Sequence, residues 1–309
     1  MQSRLARDYS LGVYSTLSDN FAGDRIEERH AWNFGATFLN FWGVNLFGSF
    51  SPTSLTDRLL RGGPIAGRPS ATVTRLSTES DPRKPVVVSS DISHSTDVSG
   101  MALELAKLEV DWRPAPQARV RLAPTYQNQR ITGQYVQVVR DPLATSTFGS
   151  RYIFANVRQH ELSVDVRLDW TFSPWLSLRL FLQPFAASGR FSRFNEFTTP
   201  RQFAFSEYGV DKGTVTRLGD GSRAIDPDGT GAAPSFVEPN QDFTVRALRG
   251  NAVLRWEYRP GSSLFFVWTQ QRAERFDDVR SNVSAQALRT FADPGRHVFL
   301  FRFSRWIGS

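Results

Sequence analysis

Apolar and polar residues alternate with a period of two along much of this chain, and the run from Glu161 to Phe172 does so without a fault. Leu162, Val164, Val166, Leu168, Trp170 and Phe172 fall on one side, and Glu161, Ser163, Asp165, Arg167, Asp169 and Thr171 on the other. Successive side chains of a strand point to opposite faces, so the segment predicts a strand with one apolar and one wet face. The pattern returns at 106–113, where Ala106, Leu108, Val110 and Trp112 oppose Lys107, Glu109, Asp111 and Arg113. It returns again at 248–259, where Leu248, Ala252, Leu254, Trp256 and Tyr258 oppose Arg249, Asn251, Arg255, Glu257 and Arg259. Helical periodicity is almost absent.

One amphipathic strand is equally compatible with a soluble sandwich and a barrel in lipid. The connections separate the two. Short ones carrying Pro or Gly stand at Trp42-Gly43, Asp81-Pro82-Arg83, Arg113-Pro114-Ala115-Pro116, Ser173-Pro174 and Arg259-Pro260-Gly261. Longer polar ones lie between them, roughly at 18–28, 53–69, 95–100, 142–150, 211–242 and 277–296. Strict alternation of short and long connections is expected of an antiparallel up-and-down transmembrane β-barrel, and a Greek-key sandwich has no reason for it. Twelve strands follow, near 5–17, 29–41, 44–52, 70–79, 84–94, 101–113, 117–141, 151–172, 175–210, 243–259, 262–275 and 297–307. Most reach the roughly 9 to 11 residues that a tilted strand needs to cross a bilayer. The seventh and eighth are longer and should carry their hairpin beyond it, while 189–200 should interrupt the ninth.

Aromatic residues sharpen the reading. Trp42, Trp112, Phe172, Trp175 and Tyr258 all sit within two residues of a short turn, and Trp306 stands near the end of the last strand. Amphipathic rings so placed predict a belt at one membrane interface. The terminal strand sets Phe299, Phe301 and Phe303 on one face, as expected of the closing strand of an outer-membrane barrel, which the barrel-assembly machinery would engage. Lysine 107, Glu109, Asp111, Asp165, Arg167, Asp169, Arg249, Arg255 and Glu257 are then the lumen-facing candidates. In the connection 53–69, Arg61-Gly62-Gly63-Pro64 is a candidate constriction, since two glycines permit positive φ and close backbone approach.

Composition narrows the picture further. The 309 residues include no cysteine, 25 Phe and 8 Trp, with a formal net charge of +7. Mean hydropathy is −0.34 and no run approaches the ~18 apolar residues of a transmembrane helix, which excludes a helical membrane bundle. The basic excess is nearly all arginine, and it is spread along the chain rather than gathered into the patch that nucleic acid requires. No signal peptide precedes the first strand, which suits either a cytoplasmic protein or a fragment.

Four stretches together resemble a bacterial family. They are 242–270, Asp57-Arg-Leu-Leu-Arg-Gly-Gly-Pro64, Asp141-Pro-Leu-Ala-Thr145, and Trp170-Thr-Phe-Ser-Pro-Trp-Leu-Ser-Leu178 with Gln183-Pro184-Phe185. In that family a carbohydrate-binding family-9-like module precedes a large outer-membrane β-barrel domain of unknown function. The resemblance implies an outer-membrane location in a Gram-negative bacterium, lipid as surroundings and a glycan-derived ligand. It also implies that 1–309 is a single barrel domain forming the C-terminal part of a longer protein.

Candidate chemistry is sparse. His30, His94, His160 and His297 show no metal-ligand spacing, and Asp226-Pro-Asp228-Gly229 departs from the EF-hand pattern after its first positions. No phosphate-cradling, dinucleotide or nucleophile-elbow motif occurs. Neither a cofactor nor an enzymatic activity is expected. Glu109 and Asp111 stand about 7 Å apart on one face at ~3.3 Å per residue, a separation used by inverting glycosidases. Lys107 and Arg113 flank them, which fits a salt-bridge ladder better than a carboxyl of raised pKa. The competing reading is a soluble β-rich carbohydrate-binding protein or glycoside hydrolase.

Overall fold

The computed structural model describes residues 6–280 and 282–307. The first half of the chain forms β1 (Ala6–Asp19), β2 (Arg25–Phe38), β3 (Gly43–Ser51), β4 (Ser54–Thr56), β5 (Ala66–Arg68), β6 (Ala71–Glu79), β7 (Val86–Asp97), β8 (Ala102–Ala115) and β9 (Ala118–Arg140). The second half forms β10 (Ser150–Ser173), β11 (Leu176–Phe197), β12 (Phe205–Glu207), β13 (Thr214–Arg217), β14 (Arg223–Asp226), β15 (Phe236–Glu238), β16 (Phe243–Arg259), β17 (Ser262–Phe276), helix α1 (Val283–Arg289) and β18 (Arg296–Ser304).

Twelve of these strands pair with their neighbours in one antiparallel up-and-down path, β1-β2-β3-β6-β7-β8-β9-β10-β11-β16-β17-β18. This is the architecture that the alternating connections predict. The path is open, since β1 and β18 each have one partner in it. The predicted start at residue 5 lies outside the described residues.

Register keeps each face pure. One row runs Leu11, Phe34, Leu46, Leu76, Ile92, Ala106, Tyr126, Leu162 across eight successive strands. A second runs Val86, Trp112, Val120, Leu168, Leu180, Ala252, Trp268, Phe299 from β7 to β18. One residue over, on the other face, stand Ser10, Gly35, Asn45, Ser77, Asp91, Lys107, Thr125 and Ser163. The polar face is concave, and an open hollow of about 1150 Å³ lies along it from β1 to β9. The apolar face is largely uncovered, with Leu11 70% and Val13 77% exposed, apart from the patch at Leu162 and Ala186 on which α1 packs. A sandwich would lay a second sheet over these side chains; none is present among the described residues.

Three local features differ from the sequence reading. The connections at 18–28 and 95–100 shrink to the gaps between Asp19 and Arg25 and between Asp97 and Ala102. Each is drawn tight by a turn carboxamide or carboxylate: Asn20 Oδ1 accepts from the Ala22 and Asp24 amides, and Asp97 Oδ1 from those of Ser99 and Met101. Gly23 and Gly100 supply the positive φ that such turns need. The ninth strand ends at Phe197 rather than reaching residue 210, because a register shift near Arg193 redirects it and β12 folds back to pair Glu207 with Asn195. Helix α1 was not expected; Asn282 caps it by accepting from the Ala285 amide at 3.0 Å, and Val283 and Ala287 pack on Ala186 and Leu162.

Val166, paired with Leu122 and Leu182, sits within the apolar face, and Asp165 on the face behind it. Arginine at position 166 should cost about 2–4 kcal/mol near the bilayer midplane, and arginine at 165 much less. Denaturant titration of the lipid-refolded variants measures both; equal costs would overturn the assignment of faces.

Candidate functional site

The concave face is a charge ladder. Glu109 takes Lys107 Nζ and Arg121 Nε, each at 3.2 Å, while Asp111 is held by Arg119, by Arg121 Nη2 at 3.5 Å and by Arg113 at 3.8 Å. The pair that could have been a glycosidase dyad is thus clamped by the Lys107 ammonium and three guanidinium groups. Across the next strands, Asp165 accepts from Gln183 at 2.7 Å, Asp169 meets Arg179 at 3.6 Å, and Arg167 lies over the Phe181 ring. Arg249 stands opposite Gln183 in the register, and Arg255 donates to Glu257 at 2.8 Å. Towards the start of the sheet Asp91 is gripped by Arg75 and accepts from Ser77 at 2.9 Å. The structure therefore brings Lys107, Glu109 and Asp111 into one network, whereas Asp165, Asp169 and Arg255 each keep separate partners.

The aromatic residues gather at the short-turn end. Trp42 and Trp175 lie in short turns, Trp112 and Phe172 are half-exposed at strand ends, and Trp170 stacks on Phe172 at 4.9 Å. Tyr258 stacks on Phe303 at 5.7 Å, and the Trp306 amide donates to Ser262 Oγ at 3.0 Å beside the last hairpin. On the apolar face Phe299 stacks against Phe266 at 5.9 Å and Phe301 meets the same ring tilted at 4.9 Å.

At the opposite end β9, β10 and β11 project beyond the other strands. About 10 residues counted from Ser173, enough for a tilted strand to cross a bilayer, would end near Ser163 and leave 150–160 beyond it. There the alternation fails: Arg151, Tyr152, Ile153, Phe154 and Ala155 are all buried. Tyr152 and Phe154, with Phe197, are covered by Leu60 and Ala66 of the 52–70 connection. Ile153 and Ala155 are covered by Phe194, Tyr208 and Ile225, the last from the small β13-β14-β15 sheet.

The constriction candidates take part in this docking. Arg61 has φ 52° and lies 4.5 Å from the Tyr135 ring centroid; Gly62 has φ 110°. A Cβ on Gly63 would stand 2.6 Å from the Tyr152 ring, a clash that explains glycine there. Pro64 is buried beside them. The connection leaves β3 and returns to β6 yet docks on β9 and β10, and β6, β7 and β8 separate those strands in the sheet.

A buried ionic cluster fastens the projection, and sequence reasoning missed it. Arg151 donates to Asp141 at 2.6 Å and to both oxygens of Glu196 at 3.0 and 2.8 Å. Glu196 also accepts from Lys212 Nζ at 2.9 Å and from the Tyr208 hydroxyl at 2.5 Å. Burial opposes the Arg151 charge, but the two carboxylates outweigh it and raise the arginine's pKa. Burial also works against the Asp141 carboxylate, yet the Leu143 amide and Arg151 bring its pKa below the usual value. Burial, reinforced by the Glu196 charge, pushes the Tyr208 hydroxyl up. The one sequence signal was the broken alternation at 151–155, the mark of a strand buried on both faces.

No protein-family model and no curated protein matches the chain. Solved structures do resemble it in fold. A copper transporter, OprC, aligns over 95% of this chain and 42% of its own at 11% identity and a TM-score of 0.50. The siderophore receptor PiuA from Acinetobacter baumannii aligns over 97% and 47%, at 9% identity and a TM-score of 0.51. The chain thus spans less than half the length of either.

Removing one partner of a buried ion pair strands the other charge, at a cost of about 3–5 kcal/mol. Arg151→Met should accordingly loosen the projection while leaving the membrane-level strands paired. Limited proteolysis of the folded protein should then cut within 198–242 at a much higher rate; unchanged protection would show that the cluster does not fasten this segment.

Proposed function

We propose that this chain forms the wall of an outer-membrane barrel in a Gram-negative bacterium and that it passes a solute, or handles one at the cell surface. The observation that carries the reading is the pairing of a largely uncovered apolar face with a concave, charge-laddered face along which an open hollow of about 1150 Å³ lies. Lipid suits the first face and water with a polar solute the second. The two solved structures with the same fold bear the names of a copper transporter and a siderophore receptor, which favours transport in general. A glycan-derived ligand rests on the family resemblance alone. The soluble carbohydrate-binding or hydrolase reading is disfavoured, because it leaves most of the apolar rows without a cover and needs a free carboxylate where Glu109 and Asp111 are both clamped.

Unpaired strand edges cannot stand in hydrocarbon, so the outer edges of β1 and β18 need partners. We read the twelve-stranded path as part of a larger barrel whose further strands close that gap. In the same reading the 52–70 connection crosses the mouth from β3 to β10 and narrows it around Arg61–Pro64.

Two measurements test this. Gly63→Val should undock the connection from Tyr152 and raise ion conductance of the reconstituted protein; a conductance equal to that of the parent would remove the constriction. Deletion of 296–309 should abolish outer-membrane insertion, because β18 supplies the seam strand and the contact for the assembly machinery. If the truncated protein still reached the outer membrane with heat-modifiable gel mobility, that role for β18 would be wrong.

A further inference from the structure

Beside the projection, like charges face each other twice. Arg158 of β10 is directly opposite Arg190 of β11, and Arg217 of β13 is directly opposite Arg223 of β14. Opposed like charges on neighbouring strands are destabilising. Among the described residues no carboxylate comes within ion-pair distance of any of these four guanidinium groups. Glu238 stands opposite Arg223 on β15, but its oxygens accept from Gln137 at 2.6 Å and Gln241 at 3.0 Å.

Arg190, Arg217 and Arg223 line one cavity of about 580 Å³. Its acidic residues are already engaged: Asp278 with Arg280 at 3.2 Å, Asp277 with Arg275 at 3.8 Å, and Asp242 with the Phe191 amide at 2.7 Å. A fourth lining arginine, Arg193, is taken by Glu207 at 2.8 Å. Arg223 lies over the Phe194 ring and donates one nitrogen to the Phe191 carbonyl at 3.4 Å, while its Nη1 is buried with no partner. Four arginines against three aspartates leave this cavity basic, and among the described residues none of Arg190, Arg217 and Arg223 is in an ion pair.

We propose that this cavity binds a phosphate group. Planar guanidinium forks match phosphate oxygens in pairs, and a dianion between Arg190, Arg217 and Arg223 would relieve the Arg217–Arg223 opposition. Its place in the fold allows two sources. About 10 residues from Leu176 bring β11 across the bilayer to near Ala186, so Arg190 stands at the level of the outer headgroups. The phosphate then belongs either to a phosphorylated lipid of the outer leaflet or to a soluble phosphorylated solute arriving from outside. The lipid source rests on the membrane reading given above; the cavity and its charges do not.

The test titrates the purified protein in detergent with inorganic phosphate and with glucose 1-phosphate, and its vesicle-reconstituted form with lipid A in phosphorylated and dephosphorylated forms. Arg190→Gln and Arg217→Gln should each weaken binding at least tenfold, with unchanged heat-modifiable mobility. Arg217→Lys, which keeps the charge but loses the fork, should fall between. Variant-sensitive binding of the soluble probes assigns a free phosphate. Variant-sensitive binding confined to phosphorylated lipid A assigns the headgroup. Absence of binding in every arm, or an affinity that the Arg190→Gln/Arg217→Gln double variant leaves unaltered, would overturn the site while leaving the transport reading untouched.

Discussion

Backbone amides and carbonyls cannot be left unpaired in hydrocarbon, and in the proposed membrane setting this requirement shapes nearly everything else in the chain. Each membrane-level strand satisfies it by hydrogen bonding to both sequence neighbours in the antiparallel path, except at the outer edges of β1 and β18. Since a slip of one residue would turn a strand's whole apolar set inward, the ladders at this level must stay in step. They do. Register shifts fall near strand ends, as at Thr171/Ser173, Trp112/Ala115 and Glu257/Arg259, or in the projection, as at Phe154/Asn156. Bulges are thus confined to levels where a displaced side chain does not exchange lipid for water.

In-step pairing also decides the chemistry of the concave face. When every second residue points inward, charged residues from adjacent strands arrive opposite one another, and Lys107, Glu109, Asp111, Arg119 and Arg121 become a continuous ladder. Mutual neutralisation makes this face well suited to lining a hydrated passage and poorly suited to acid catalysis. The contrast with the rim is instructive: Arg158, Arg190, Arg217 and Arg223 come from the same sort of cross-strand pairing but face like charges instead of opposite ones.

Beyond the bilayer a different constraint takes over. Water satisfies exposed backbone there, so the long strands need a conventional core, and two connections supply one for each face of β10. Arg151, with Asp141, Glu196, Lys212 and Tyr208, sits inside this packing, where every charge has a partner. A buried cluster of this kind adds little net stability over apolar packing, but breaking it is expensive, which ties the 198–242 segment to one position.

How much was legible in sequence follows from the range of the interactions. Strand positions and faces were readable because alternation is local: 118–140, 150–173 and 243–259 lie within a few residues of the spans read from the pattern. The Lys107–Arg113 ladder was likewise foreshadowed by charges repeating every second residue. The tight turns at Asn20 and Asp97 were misjudged in length, since polar glycine-containing stretches look alike whether or not a side chain closes them. The break in the ninth strand was placed within 189–200, but helix α1 and the partners of the Arg151 cluster could not be read, because they lie far away in sequence: Glu196 is 45 residues from Arg151, and Asp293 is 47 from Arg246. A period of two states which face a residue occupies; only the assembled sheet and its connections decide what stands opposite that face, and hence which charges are met and which are left open.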